Sequence, residues 1–285
     1  MKIKAYYRLT KPGIIYGNTI AGIAGFLFAS QGMIRWMELA AFMVGLALVI
    51  ACACVLNNII DRKIDRKMKR TKKRAMVTGE IGKASAYTYA AVLGSVGFSL
   101  LLLFTNWLAA LLGAIALVFY VVIYGIAKRK TEYGTLVGTI PGAIPPIAGY
   151  AAVTGQLDIA SGLIFVAMVM WQMAHFYSIA IFRAKDYAAA GVPVWAVKRG
   201  VASTRRQILG FVILFIIASL SLSIFGYTGI VYAFVMAFVG VLWLMRAVRG
   251  LRAEEGGAWA GKMFSFSLIV LLTFCGALAV DAWLA

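Results

Sequence analysis

The chain has 285 residues, of which 63% are hydrophobic and only 13% are charged, and its mean hydropathy is +0.90. Soluble domains are nearer half apolar and a quarter charged, so this composition excludes an ordinary soluble protein and predicts an all-α, polytopic membrane protein whose residues 1–285 form one domain. The formal net charge is +18, but the basic residues flank apolar segments, so membrane lipid and anionic substrates are the expected partners and nucleic acid is not.

Nine apolar segments follow one another along the chain, and several are near the ~20 residues that a membrane-spanning helix needs. With nine crossings, all of the 28 Lys and Arg residues except Arg35 fall on one side of the membrane. The positive-inside rule makes that side cytoplasmic, so we expect the N-terminus and the active site on the cytoplasmic face of the cell (inner or plasma) membrane. The segments lie at about 14–30, 38–58, 84–104, 106–125, 134–154, 160–182, 207–226, 229–248 and 262–284.

The second segment runs into a polar stretch, residues 57–74, that reads NNIIDRKIDRKMKRTKKR. Within it Asn57, Asp61 and Asp65 are four residues apart, and on a helix each step of four turns the side chain by about 40° and rises by about 6 Å. The three side chains therefore lie on one stripe. Two carboxylates and an amide oxygen can hold Mg²⁺, and the cation can hold a phosphate group. This spacing predicts that all three are catalytic residues, with Asp61 and Asp65 binding the metal and Asn57 serving as a neutral oxygen ligand of it or as an orienting group.

Basic residues near this stripe are candidates for binding the phosphates that the metal leaves free, because the guanidinium group suits two-point recognition of phosphate. Two simpler interpretations remain open. The basic run can serve only to fix topology and contact anionic lipid, and the two carboxylates can pair with Lys or Arg four residues away. The candidate diphosphate-binding residues are Arg66, Arg70 and Arg74, with Lys128 and Arg129 from the loop after the fourth segment.

The fifth segment, YGTLVGTIPGAIPPIAGY, contains three prolines, which predict a kink or a break. Its residues Gly134, Gly138 and Gly142 are four apart, a spacing that lets a neighbouring helix approach closely. Two interpretations are open: the segment serves packing alone, or it bends and thereby shapes a cavity.

The sixth segment carries the only histidine of the chain, His175. It lies about 12 Å inside the segment, counted from Arg183 at 1.5 Å per residue, and a polar group at that depth is a candidate for function. Asp186 is eleven residues further on, within about 20° of the same face if the helix continues.

Four strings together resemble the haem-specific branch of the intramembrane aromatic prenyltransferase superfamily. In that superfamily the NxxxDxxxD pattern of residues 57–65 resembles the first aspartate-rich motif. The second motif is reduced here to Asp186, which also resembles the haem-specific branch and argues against two complete carboxylate clusters. The strings are LTKPGIIYGN (9–18), NNIIDRKIDRKMKRTKKR (57–74), YGTLVGTIPGAIPPIAGY (133–150) and WQMAHFYSIAIFRAKDYAAAGVPV (171–194).

The resemblance implies nine helices around a central cavity that opens to the cytoplasmic side. It also implies a Mg²⁺-dependent transfer of a farnesyl group from farnesyl diphosphate to a vinyl group of haem b, with addition of water, to give haem O. A haem A synthase or a terminal oxidase is then a candidate partner.

In this interpretation the face of His175 and Asp186 contacts the porphyrin, with His175 as an iron ligand or a propionate partner. The alternative is a packed histidine bonded to another span. Tyr120, Tyr124 and Tyr177 are candidates for stabilising an allylic cation through cation–π attraction, unless they are ordinary residues of the interfacial aromatic belt.

Two other functions stay open at this point. The same superfamily includes enzymes that prenylate a quinone precursor or a chlorophyll-type ring. A membrane transporter is a candidate from another class, because broken helices occur in transporters. Transporters usually place ionisable residues near the midplane, whereas Asp61, Asp65 and Asp186 are expected at one membrane edge, which favours an enzyme.

Overall fold

A computed structural model describes residues 2–253 and 256–284, which are largely helical and contain no β-strand. Nine helices in this described part are long and apolar enough to cross a membrane, so the chain is a multi-pass membrane protein. This confirms the all-α prediction with nine spans. Spans 1 to 9 are Pro12–Ser30, Trp36–Asp65, Lys83–Phe104, Trp107–Lys130, Gly134–Thr154, Ile159–Phe182, Gly200–Ile224, Ile230–Leu251 and Gly256–Asp281.

Spans 2 and 4 extend further than their apolar segments do. Span 2 continues past residue 58 to Asp65, and span 4 continues past residue 125 to Lys130. Hydropathy ends a segment at the first polar residues, but an α-helix satisfies its backbone groups internally and can continue through polar residues beyond the apolar core. As a result the Asn57–Asp65 stripe belongs to one rigid helix. Shorter helices lie between or before the spans at Lys2–Leu9, Ala75–Thr78, Ala184–Ala190 and Trp195–Lys198.

Span 5 is an uninterrupted helix from Gly134 to Thr154, with Pro141, Pro145 and Pro146 inside it. Of the predicted kink or break, the break is therefore wrong, and the kink stays a prediction. All three prolines are buried, and membrane helices tolerate proline where surrounding helices and local adjustments satisfy the freed backbone groups.

Spans 1 and 5 approach each other closely at two glycines. A Cβ atom added to Gly25 would overlap the carbonyl group of Pro146, and one added to Gly149 would overlap the carbonyl oxygen of Gly22. Only glycine at these positions lets the two backbones touch. This contact fixes span 1, and with it the residues that precede it, against the centre of the bundle.

The glycines predicted to mediate close packing of span 5 face three different neighbours. Gly134 lies against the backbone of Lys128, Gly138 lies against the ring of Tyr124, and Gly142 lies against the side chain of Gln172. They thus hold span 5 against spans 4 and 6 and leave room for side chains that reach the centre.

The outer surface of the bundle is strongly apolar. Phe234 and Phe238 of span 8 are 70% and 68% exposed, and Leu103 of span 3 is 77% exposed. Such surfaces are costly in water but match the acyl chains of a bilayer. They leave the centre of the bundle as the place for polar chemistry.

Candidate active site

A cavity of about 810 Å³ opens within the bundle. Residues of spans 1, 2, 4, 5, 6 and 9 line it, while the described residues of spans 3, 7 and 8 do not. One part of the wall is polar and is built where span 1 begins and where spans 2, 4 and 6 end. The remainder is mostly apolar, which suits a site that takes a hydrophobic molecule with a charged head group.

Asp61 lies between two basic residues of span 4. Its side chain accepts a hydrogen bond from Lys128 Nζ through Oδ2 and one of 3.0 Å from Arg129 Nη2 through Oδ1. Arg129 Nη2 also donates to the backbone oxygen of Ile60 at 3.0 Å, which ties the end of span 4 to span 2. A buried carboxylate is thus neutralised by cations that come from a different helix, not from four residues away on its own helix.

Asp65 lies one turn further along the stripe and pairs with Arg74. Arg74 Nη1 donates to Asp65 Oδ2 at 2.7 Å, and Thr71 Oγ1 donates to the backbone oxygen of Asp65 at 2.9 Å. The basic stretch after span 2 therefore folds back over the end of its own helix. Both carboxylates are buried, at 8% exposure for Asp61 and 5% for Asp65, and both line the cavity.

Asn57 completes the stripe and contacts a residue that sequence reasoning missed. Lys11 Nζ donates a 2.6 Å hydrogen bond to Asn57 Oδ1, while Asn57 Nδ2 is enclosed and has no partner among the described residues. Lys11 lines the cavity, and the protein around its ammonium group lowers the pKa of Lys11 from its ordinary value to about 8 through desolvation. The string LTKPGIIYGN contains Lys11, but only the fold brings it to Asn57, 46 residues away.

Two tyrosines of span 4 form an aromatic wall beside these cations. The helix widens over Phe119–Ile123, where the N–H of Tyr124 bonds to the carbonyl of Phe119, and such π-helical turns are frequent at functional sites. The Tyr120 and Tyr124 rings stack at 5.8 Å between centroids. Lys11 Nζ lies 6.0 Å from the Tyr120 centroid and Lys128 Nζ lies 5.0 Å from that of Tyr124, so both rings face positive charge.

The donor atoms at this end of the cavity fit Mg²⁺. The ion takes hard oxygen ligands, and it is usually held by one or two carboxylates together with waters and substrate phosphates. Asp61 and Asp65 supply two carboxylates from adjacent turns, and Asn57 supplies an amide oxygen. Groups of three or more His, Cys, Asp or Glu that could form a closed metal site are absent from the described residues. The site therefore suits an ion that arrives with a phosphorylated substrate.

The predicted phosphate-binding residues occupy different positions around this site. Lys128, Arg74 and Arg70 line the cavity. Arg129 bonds to Asp61 from outside the lining, and Arg66 is exposed on the solvent side of the same helix end. Three cations of the predicted set thus face the cavity directly.

The prediction that His175 and Asp186 share one helical face is wrong. Span 6 ends at Phe182, and Arg183 adopts φ −109° and ψ 19° before a new short helix begins at Ala184. Asp186 does not line the cavity and lies 3.6 Å from Arg183, which does line it. Like Lys11, Arg183 is a basic residue of the cavity wall that was not among the predicted phosphate-binding residues.

His175 lines the cavity from the middle of span 6. Its Nδ1 lies 2.7 Å from Ser267 Oγ of span 9, and its ring stacks on Trp171 with centroids 4.9 Å apart. Trp171 Nε1 donates to the backbone oxygen of Ser267 at 2.7 Å. The histidine is thus bonded to another span, as the simpler interpretation expected, and it is also part of the cavity wall.

Comparison with known sequences matches residues 18–272 to the UbiA prenyltransferase family. The chain is 45% identical over 282 residues to the protoheme IX farnesyltransferase of Yersinia pestis (strain Pestoides F), which covers 99% of this chain and 95% of that relative. It is 44% identical over 283 residues to protoheme IX farnesyltransferase 2 of Chromobacterium violaceum, and this match covers 99% of this chain and 94% of that relative.

Solved structures share the fold at lower identity. A digeranylgeranylglyceryl phosphate synthase superposes with a TM-score of 0.83 at 23% identity, covering 100% of this chain and 99% of its own. A UbiA homolog from Archaeoglobus fulgidus bound to GPP and Mg²⁺ superposes with a TM-score of 0.71 at 15% identity, and the match covers 97% of this chain and 100% of the homolog.

Proposed function

The chain belongs to the UbiA prenyltransferase family, and we propose that it transfers a farnesyl group from farnesyl diphosphate to a vinyl group of haem b, with addition of water, to give haem O. The relatives are named protoheme IX farnesyltransferase and are 44–45% identical to this chain over nearly its whole length, which supports this choice of donor and acceptor. The observation that carries the proposal is one cavity that joins a carboxylate–cation end to an apolar interior. Membership of an enzyme family removes the transporter alternative.

In this proposal Asp61, Asp65 and the Asn57 amide oxygen hold Mg²⁺. The ion, when bound, supplies positive charge to the diphosphate as the carbon–oxygen bond breaks. A structure of a UbiA homolog with GPP and Mg²⁺ supports the metal for the family, although that likeness is in fold alone. The oxygen-only donor set of this chain supports it independently.

The basic residues have a second partner in this proposal. Lys128 and Arg74 neutralise Asp61 and Asp65 in the structure, and they line the space that the diphosphate would enter. With substrate and metal bound, the carboxylates would hold the metal and the cations would be free to bind phosphate oxygens. Each charge then keeps an opposite partner, which avoids the cost of a buried, unpaired charge. Arg70 and Lys11 add positive charge from the cavity wall.

The reaction itself balances as an electrophilic alkylation followed by hydration. The carbon–oxygen bond of farnesyl diphosphate breaks, and its electron pair leaves with the diphosphate. The vinyl double bond of haem b then attacks the allylic carbon and forms the new carbon–carbon bond, which leaves a cation beside the porphyrin ring. Water adds to that cation and releases one proton. Tyr120 and Tyr124 present π faces that can stabilise positive charge near this step, worth about 2 kcal/mol when desolvated.

The orientation and partners also belong to the proposal. The excess of Lys and Arg at the end that carries Asp61 supports a cytoplasmic active site in the cell membrane. A farnesylated haem is strongly apolar, so direct transfer to a haem A synthase or a terminal oxidase within the membrane is the expected route for the product.

The test is a reaction of purified protein in detergent with haem b, farnesyl diphosphate and Mg²⁺. We expect haem to gain the mass of a farnesyl group plus a hydroxyl group, and we expect EDTA to abolish the gain. A quinone precursor and a phenolic acceptor serve as competitors. Transfer to one of these in place of haem would keep the diphosphate site and refute the haem assignment.

A further inference from the structure

We infer that Ser267 fixes the tautomer of His175 with its proton on Nδ1, so that the unprotonated Nε2 is the atom that binds the iron of the haem substrate. This inference rests on the proposed function, because it assigns the residue that holds the proposed acceptor. It also decides between the two roles that the sequence left open for His175, iron ligand and propionate partner.

The hydrogen bonds of Ser267 carry the argument. Its hydroxyl donates to the backbone oxygen of Phe264 at 2.6 Å and lies 2.7 Å from His175 Nδ1. A serine hydroxyl has one proton to give and two lone pairs to accept with. Since that proton goes to Phe264, the bond with His175 must run from Nδ1–H to the serine oxygen.

The opposite tautomer would break the bond to Phe264. With the proton on Nε2, the hydroxyl of Ser267 would have to turn from Phe264 towards Nδ1, and the oxygen atoms of Ser267 and Phe264 would then lie 2.6 Å apart with no proton between them. Two oxygen lone pairs at that distance repel each other. The Nδ1–H tautomer keeps both hydrogen bonds and leaves a lone pair on Nε2.

The surroundings of the ring hold it in this orientation. Trp171 stacks on the imidazole with a 22° interplanar angle, and Phe264 lies against it with centroids 5.0 Å apart. Trp171 is itself bonded through Nε1 to the backbone oxygen of Ser267 at 2.7 Å. One residue of span 9 therefore positions both the histidine and the indole that stacks on it, so the imidazole cannot turn over without breaking these contacts.

The Nε2 edge faces the cavity. His175 lines the cavity and is 7% exposed, its Nδ1 edge is taken by span 9, and its ring contacts aromatic side chains. The fully enclosed polar atoms that lack a partner in the described part of the chain do not include Nε2, which leaves this edge open to the cavity.

The chemistry of this edge selects iron. A propionate needs a donor, but the single donor of this imidazole is already committed to Ser267. A neutral imidazole nitrogen with a lone pair is a common ligand of haem iron, and the hydrogen bond at its other nitrogen usually sets the tautomer and the basicity. His175 lies eight residues before Arg183, about 12 Å along the helix, so the iron would be held well inside the cavity.

The test measures iron ligation directly, without farnesyl transfer. Haem b is added to the purified full-length protein, and the ferrous complex is examined by resonance Raman for an iron–histidine stretching band and by absorbance titration for affinity. We expect the band in the native protein and its loss in His175→Ala. For Ser267→Ala we expect a shifted band and about 10–100-fold weaker haem binding, the usual effect of losing an outer-shell partner.

Ser265→Ala is the matched control. Ser265 lies on the same helix and makes a similar hydrogen bond to the backbone oxygen of Gly261 at 3.1 Å, but it is exposed. It should leave the band and the affinity unchanged. Binding of a non-hydrolysable farnesyl diphosphate analogue reports folding for every variant, and His175→Gln replaces His175→Ala if the alanine variant fails this check.

The outcomes separate the two proposals. A band that persists in folded His175 variants, or a native complex without one, overturns the iron assignment even if farnesyl transfer to haem proceeds. Unchanged affinity and an unchanged band in Ser267→Ala would overturn the positioning role of the serine. If the native protein binds the farnesyl diphosphate analogue but transfers no farnesyl group to haem, the proposed function itself is refuted.

Discussion

Lys11 and Asn57 meet across the start of span 1 and the end of span 2, where Lys11 Nζ donates a 2.6 Å hydrogen bond to Asn57 Oδ1. Lys11 forms no ion pair with a carboxylate in the described part of the chain. Its backbone lies in the left-handed region, with φ 55°, an uncommon conformation for a residue with a side chain. The backbone of Lys11 is thus strained, and its ammonium group is paired only with a neutral amide. This arrangement suits the binding of an anion that enters the cavity.

Replacing Lys11 with Gln should weaken binding of farnesyl diphosphate because it removes that cation. A hydrogen bond to a charged group is worth about 1.5–3 kcal/mol, which corresponds to roughly 10–100-fold in affinity. The measurement is a titration with a non-hydrolysable farnesyl diphosphate analogue in the presence of Mg²⁺. Lys4→Gln, at an exposed lysine of the preceding helix, is the control and should bind normally. Equal affinity in both variants would show that Lys11 has only a packing role.

Asp61→Asn tests the metal–diphosphate mechanism. The amide keeps the shape of the side chain but loses the charge that holds Mg²⁺, so we expect kcat/KM to fall at least about 10²-fold at saturating Mg²⁺, given that such charge stabilisation is worth several kcal/mol. Haem binding, measured by absorbance, should remain, because His175 lies on a different span.

The control for this variant is Glu38→Gln, which makes the same chemical change at a carboxylate paired with Arg35 at the far end of span 2. It should retain native activity. Full activity of Asp61→Asn at saturating Mg²⁺ would refute the mechanism, and loss of haem binding together with activity would instead point to misfolding.

Much of the site was predictable because it follows from helical periodicity. Asn57, Asp61 and Asp65 are four residues apart on one helix, so their alignment needs no knowledge of the fold, and both carboxylates do line the cavity. Long apolar segments likewise predict nine spans, since a bilayer sets their length. What periodicity cannot supply is contact across the chain, and so the pairing of Lys11 with Asn57, 46 residues away, was missed.

The errors have equally local causes. The face shared by His175 and Asp186 required the helix to continue, but nothing in the string FRAKDY marks the end that the structure places at Phe182. The prolines of span 5 predicted a kink or a break because they lack an N–H group, yet the helix has no break, and all three prolines are buried in the protein, where neighbouring groups can satisfy the freed backbone. The end of span 6 and the burial of the prolines are features of the whole fold, which a single sequence does not show.

The arginines after span 2 should differ sharply in how much each contributes to the binding of farnesyl diphosphate. Arg74 bonds to Asp65 at 2.7 Å and lines the cavity, whereas Arg66 is exposed outside it. Arg74→Gln should therefore raise the KM for farnesyl diphosphate by roughly 10–100-fold, and Arg66→Gln should leave it near the native value. Steady-state kinetics with varied farnesyl diphosphate measures both. Equal losses in the two variants would mean that the basic run acts through its overall charge, not through specific contacts.

The backbone contact between spans 1 and 5 should be the most sensitive packing feature of this half of the bundle. A methyl group at Gly149 would overlap the carbonyl oxygen of Gly22, and backbone cannot move aside as a flexible side chain can. We expect Gly149→Ala to destabilise the protein by at least about 1–3 kcal/mol and to lower its thermal midpoint in detergent. Gly162→Ala is the control, because a Cβ atom there meets nothing within 4 Å and the substitution favours a helix. An unchanged midpoint in Gly149→Ala would show that spans 1 and 5 separate readily, and that Lys11 is held beside Asn57 by other contacts.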